Sequence, residues 1–184
     1  MANLITVSRI LLVAPFIACF FVDAAWGQKA ALFIFTIAAL TDFLDGRVAR
    51  ARGETSALGA ALDPLADKIL IAAALILLIM IGTIHLVHVT AALIIILREI
   101  LVGGLREALA KRGADLPVTA LAKWKTTAQI IAAGLLIAAA PTGLIGRAAE
   151  PAGVFLLWLA ALLTFVTGWD YVRRAVGLLG AARP

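Results

Sequence analysis

The chain is a succession of long apolar runs separated by short polar breaks. Each run is long enough to matter in a membrane, because roughly 20 residues at about 1.5 Å rise cross the hydrocarbon core. The runs predict helices over 4–22, 29–52, 57–81, 89–110, 118–140 and 152–171. Lipid offers no partner for backbone polar groups, so spanning segments must satisfy them internally, as helices do. Apolar residues make up 64% of the 184, too many for a soluble domain. The expectation is an all-α integral membrane protein with six transmembrane helices, forming a single domain over 1–184. A cleaved signal peptide is the alternative for the first run. That run is long for a signal core, and no basic cluster precedes it. The single cysteine, Cys19, sits in an apolar run, so there is no disulfide framework.

Charge sets the orientation. Six spans place both termini on one side of the membrane. That side collects Arg9, Arg47, Arg50, Arg52, Arg106, Lys111, Arg112, Lys123, Lys125, Arg173, Arg174 and Arg183, whereas the other holds Lys29 and Arg147. The positive-inside rule puts the first side in the cytoplasm. The net charge of +5 then reflects topology together with anionic lipid or substrate. No soluble basic module is present, which argues against nucleic acid as a partner.

Four aspartates stand between the second and third runs, in the stretch TDFLDGRVARARGETSALGAALDPLADK. Carboxylates beside lipid-length apolar sequence are costly and need a counter-charge. Asp42 and Asp45 are three residues apart, and Asp63 and Asp67 four apart, so each pair shares a helix face. An all-oxygen site built from two such helices suits Mg²⁺ or Mn²⁺ rather than zinc. Four acids can hold two metals about 4 Å apart, as in two-metal phosphoryl-transfer sites. Gly46 would let a ligand approach the backbone, and Arg50, four residues on, could grip a phosphate. The alternative is two helices tied by Asp–Arg pairs without metal. Thr55 or Ser56 would cap the third helix, and Pro64 falls in its first turns, where its missing N–H costs little.

Other polar residues interrupt the apolar runs. Asn3, Thr6 and Arg9 recur at three-residue spacing, as either an interfacial cap or a polar wall of an active site. Arg98 falls at membrane depth, either in a functional role or in a structural network with Glu99. Lys123, Lys125, Thr126 and Gln129 lead into the fifth run, as a phosphate pocket or as a basic anchor to anionic headgroups. His85 and His88 lie on the side opposite the aspartates and read as interfacial. Trp158 and Trp169 read as anchors in the sixth helix.

The pattern Asp42-x2-Asp45-Gly46-x2-Ala49-Arg50-x8-Gly59-x3-Asp63-x3-Asp67 resembles the signature of the CDP-alcohol phosphotransferase family, without gap or substitution. The resemblance implies a six-helix membrane enzyme that displaces CMP from a CDP-linked donor with the hydroxyl of an alcohol. It implies that Asp42, Asp45 and Asp63 are metal ligands, and that Asp67 both contacts metal and acts as general base. Gly46, Ala49, Arg50 and Gly59 would accommodate the CDP part of the donor. It also implies a homodimer.

Asn3-Leu4-Ile5-Thr6-x2-Arg9, Arg98-Glu99-Ile100 with Leu105-Arg106-Glu107, and Lys123-x-Lys125-Thr126-x2-Gln129 resemble the bacterial phosphatidylglycerophosphate synthase branch. That branch implies CDP-diacylglycerol as donor and sn-glycerol 3-phosphate as acceptor, in the bacterial inner membrane. A phosphorylated acceptor needs its own anion pocket, for which Arg98, Arg106, Lys123 and Lys125 are the candidates. Two departures bear on the acceptor: Ala122 stands where glycine is frequent, and no proline precedes Asn3. A cardiolipin synthase or a phosphatidylinositol-phosphate synthase would share the aspartate motif. A cation transporter is a separate class, but it predicts acids at the bilayer midplane. Here they fall near one edge, so the active site is expected at the cytoplasmic membrane edge.

Overall fold

The structure, a computed structural model, describes residues 2–52, 57–114, 116 and 120–181, with side chains over 10–23, 26–41, 68–114, 116, 121 and 123–178. Alanine and leucine dominate the apolar runs, and both favour helix. Among the described residues the chain forms α1 (Ala2–Ala18), α2 (Ala24–Arg52), α3 (Ala57–Met80), α4 (His88–Ala110), α5 (Ala120–Ala139) and α6 (Glu150–Ala181), with no strand. Short 3-10 turns occupy Cys19–Phe21 and Gly146–Ala149.

Two boundaries differ most from the sequence reading, each for a local reason. The segment 23–28 is not a loop, because α2 starts at Ala24. Asp23 caps it: its carboxylate accepts from the Trp26 N–H at 3.4 Å and its carbonyl from the Gly27 N–H at 2.7 Å. Helix α6 starts at Glu150 and runs past 171 to Ala181. Pro151 fits its first turn, where the absent N–H would be unpaired anyway. Near the other end, Arg174 bridges Asp170 one turn back, at 2.8 Å. The charges at 170, 173 and 174 therefore lie within the helix and not beyond its end. The expected cap at Thr55 or Ser56 lies outside the described residues.

Cross-helix pairs set the directions. Helices α1 and α2 form a hairpin around Phe16, which meets Phe20 edge-on at 5.4 Å and Phe35 at 6.0 Å. The reversal needs glycine at 27, since a Cβ there would lie 2.1 Å from the Cys19 carbonyl oxygen. Helix α5 runs antiparallel to α2: the Gln28 carboxamide oxygen accepts from Thr142 N–H and Oγ1 at 2.8 and 2.7 Å, while Phe35 lies beside Gly134. It is antiparallel to α6 as well, with Leu136 by Gly153 and Gln129 by Thr164. Helices α4 and α6 run parallel, pairing His88 with Trp158, Arg98 with Thr167 and Arg106 with Tyr171. Buried alanines at 74, 91, 92, 132, 133 and 160 let these backbones approach closely.

Large apolar side chains face outward. Leu97, Ile100, Phe155, Leu162 and Phe165 are each more than half exposed. Among the described residues, two helices are long and apolar enough to cross a membrane, His88–Ala110 and Gly146–Leu178, with shorter apolar helices at Ile10–Phe21, Trp26–Thr41 and Lys68–Met80. An apolar coat around a partly polar interior suits lipid, and the chain is a membrane protein.

Candidate functional site

Helix α5 builds the site from its buried face, which repeats at Lys125, Ala128, Gln129, Ala132, Ala133 and Leu136. Small residues dominate that face, so Lys125 can reach inward past them to α4. Its ammonium pairs with Glu99 Oε1. The Arg98 guanidinium reaches the same oxygen through Nη1 at 3.2 Å. Its Nη2 donates to Thr167 Oγ1 on α6 at 3.1 Å, and that hydroxyl donates back to the Leu163 carbonyl at 2.7 Å. Lys68, on α3, donates to the Glu99 carbonyl oxygen at 3.4 Å. One turn deeper, Gln129 Nε2 donates to Thr164 Oγ1 at 2.9 Å, and both residues are buried.

The side chains of Arg98, Glu99 and Lys125 are only 12%, 14% and 7% exposed. Charges so withdrawn from water are tolerable only when paired and hydrogen-bonded. Glu99 supplies that pairing to two cations at once, which leaves Arg98, Lys125 and Glu99 together with one positive charge in excess. Such a cluster can receive an anion and repels a second cation.

Not all of the predicted cations converge. Arg98 and Lys125 meet at Glu99, as the Arg98–Glu99 network alternative and the pocket reading both allow. Lys123 is exposed, because residues two apart on a helix face different directions. Arg106 is also exposed, and its guanidinium carbon lies 5.8 Å from the centre of the Tyr171 ring. His88, rather than sitting with a ligand set, accepts from Trp158 Nε1–H at 3.1 Å through Nδ1. Its ring meets that of His85 edge-on at 5.9 Å.

The sequence reading passed over Thr164, Thr167, Gly168 and Tyr171. Their spacing of three and four residues traces a single stripe on a mostly apolar helix, and that stripe is the available signal. Glycine at 168 is required by Arg98: a Cβ there would lie 2.6 Å from Arg98 Cγ and 2.8 Å from Nε. Gly103 likewise gives room to Lys68, whose Nζ would lie 2.9 Å from a Cβ at that position.

The backbone places Asp42 and Asp45 one turn apart on α2, and Asp63 and Asp67 one turn apart on α3. Their side chains, and those of Asn3, Thr6, Arg9, Gly46, Ala49, Arg50 and Gly59, lie outside the described residues. A donor set of four carboxylates spaced by single helical turns fits Mg²⁺ or Mn²⁺. Lys68 follows Asp67 directly, so the last aspartate of the motif adjoins the buried charge cluster along α3.

Comparison with known proteins finds relatives over most of the chain. The sequence profile described as CDP-alcohol phosphatidyltransferase matches residues 1–166. A CDP-diacylglycerol–glycerol-3-phosphate 3-phosphatidyltransferase from Cereibacter sphaeroides is 37% identical over 214 aligned positions, covering 96% of each chain. An enzyme of the same name from Pseudomonas fluorescens is 40% identical, covering 94% of this chain and 88% of its own. Among solved structures, the Mycobacterium tuberculosis phosphatidylinositol phosphate synthase in complex with manganese and citrate superposes with a TM-score of 0.58. It covers 91% of this chain and 81% of its own at 22% identity, a likeness of fold.

Proposed function

We propose that this chain, which belongs to the CDP-alcohol phosphatidyltransferase family, transfers the phosphatidyl group of CDP-diacylglycerol to sn-glycerol 3-phosphate, releasing CMP. The relatives that match nearly its full length carry the name of that reaction. The observation that carries the reading is the contact between Lys68 and Glu99. It joins α3, which bears Asp63 and Asp67, to the buried cations of α4 and α5. Two anions must be handled side by side in this reaction, the donor pyrophosphate and the acceptor phosphate. A carboxylate cluster adjoining a cationic cluster is suited to that task.

In this reading Asp42, Asp45, Asp63 and Asp67 hold two divalent metal ions, Mg²⁺ or Mn²⁺. When bound, these ions would clamp the pyrophosphate and neutralise charge gathering on the departing CMP. Gly46, Ala49, Arg50 and Gly59 accommodate the CDP part, and Asn3, Thr6 and Arg9 form a polar wall. Arg98 and Lys125 hold the acceptor phosphate from within, with Arg106 and Lys123 at the approach. Asp67 takes the proton from an acceptor hydroxyl as its oxygen bonds to the phosphorus that carries the lipid. The bond from that phosphorus to the CMP oxygen breaks, and CMP leaves with the electron pair.

Six membrane crossings fit the antiparallel pairing of α1 with α2 and of α5 with both α2 and α6. The positive-inside asymmetry supports an active site at the cytoplasmic edge of a bacterial inner membrane. There a lipid donor arrives from the bilayer and a soluble acceptor from water. The chain acts as one domain, as a homodimer.

The test is CMP release by the purified protein in detergent with CDP-diacylglycerol and Mg²⁺. Glycerol 3-phosphate, phosphatidylglycerol, inositol phosphate and serine are added singly. Release with glycerol 3-phosphate alone is the expected result. Release with a different acceptor would reassign the cationic pocket, and silence with all four would remove the proposed reaction.

A further inference from the structure

The four tryptophans divide by exposure and by hydrogen bonding. Trp26, Trp124 and Trp169 are 79%, 68% and 62% exposed, whereas Trp158 is 37% exposed. Among the described residues only the Trp158 indole finds a partner, donating its N–H to His88 Nδ1 at 3.1 Å. An indole N–H is a donor that has to be met, by protein in an apolar medium and by water or headgroups at an interface. The other three N–H groups have no described partner and therefore need a wet boundary.

Helix register fixes where these indoles lie. Phe35 on α2 lies against Gly134 on α5, and the two helices are antiparallel. Trp26 comes nine residues before Phe35, and Trp124 ten residues before Gly134. At about 1.5 Å rise per residue, Trp26 and Trp124 stand roughly 28 Å apart along the bundle. The hydrocarbon core of a bilayer is about 30 Å thick. Gln129 on α5 meets Thr164 on α6, where the helices are again antiparallel. Trp124 precedes Gln129 by five residues and Trp169 follows Thr164 by five, so these two tryptophans stand at one level. Trp158 comes eleven residues before Trp169 on α6. The same rise puts it roughly 16 Å inward, near the middle of the span, where an indole N–H needs a protein partner.

The surface between the two levels is apolar, with Phe33 and Ile37 on α2, Ile131 on α5 and Leu162 and Phe165 on α6 exposed. Arg173, one turn beyond Trp169 on the same face, is exposed and makes no ion pair among the described residues. Asp170, the acid close to it in sequence, is taken by Arg174. A cation in that place suits lipid phosphate. Lys29, one turn inside Trp26, is exposed and can extend outward along its own stem.

We infer that Trp26 on one side, and Trp124 with Trp169 on the other, seat in the two headgroup layers of a phospholipid bilayer and fix the depth of the protein in it. Trp158 lies inside the hydrocarbon layer, tied to His88, and is not an anchor. Lys125 follows Trp124 directly, so the second girdle also sets the depth of the Lys125–Glu99 pair.

The experiment places the full-length protein in phosphatidylcholine vesicles whose acyl chains carry bromine either near the carbonyl or near the chain end. Each variant keeps one tryptophan and has phenylalanine at the other three positions. Trp26, Trp124 and Trp169 should each lose more fluorescence to bromine near the carbonyl. Trp158 should lose more to bromine near the chain end. The opposite order, or equal loss to both, at any of the four would overturn the inference. Quenching by aqueous iodide with none by bromine would also overturn it, by placing the residue in water. So would quenching by neither, the mark of a second chain covering the indole. Where such a variant does not fold, Trp26→Phe, Trp124→Phe, Trp158→Phe and Trp169→Phe made singly give each residue's loss by difference from wild type, with the same outcomes deciding.

Discussion

Lys125 on α5 and Glu99 on α4 form an ion pair in the interior of the helix packing, and Arg98 shares the same carboxylate oxygen. Removing one partner of such a group leaves the rest charged and uncompensated. Glu99→Gln should therefore destabilise the protein by about 3 kcal/mol, with Lys125 and Arg98 left in mutual repulsion. Thermal unfolding in detergent reads the effect, and Glu99→Asp should recover part of it. A Glu99→Gln protein as stable as wild type would show that the cations do not depend on this carboxylate.

Gly168→Ala tests the position of Arg98 from the opposite helix. The new methyl would lie 2.6 Å from Arg98 Cγ, so either the arginine gives up Thr167 or α6 shifts away from α4. Overpacking of this kind costs about 1–3 kcal/mol. Turnover should fall together with Tm. Wild-type values for both would mean that Arg98 can act from another rotamer.

Metal dependence is the test of the aspartates. Chelation with EDTA should abolish CMP release, and added Mg²⁺ or Mn²⁺ should restore it. Asp67→Asn should abolish turnover while leaving thermal unfolding near wild type, as expected of a proton acceptor. Normal turnover in that variant would end the general-base assignment.

Much of this protein can be read along the chain. Apolar runs mark where the helices lie, and helical periodicity assigns Asp42 with Asp45 and Asp63 with Asp67 to shared faces. Boundaries were less legible. Asp23 is a capping signal in an apparent loop, and α6 continues through Arg173 and Arg174, ten residues past the expected end at 171. The cationic pocket was half legible, because Lys123 and Lys125 are close in sequence but face different ways on α5.

The sequence by itself determined the helical, lipid-facing character of the chain and the family's aspartate spacing, because both depend on residue type and on separations of a few positions. Only the tertiary structure decided that Glu99 serves Arg98 and Lys125 together, that Gly168 must be small for Arg98, and that the Tyr171 hydroxyl is buried with no partner among the described residues. Helical periodicity tells which residues share a face. Which neighbouring helix covers that face, and at what register, depends on packing between segments far apart in the chain.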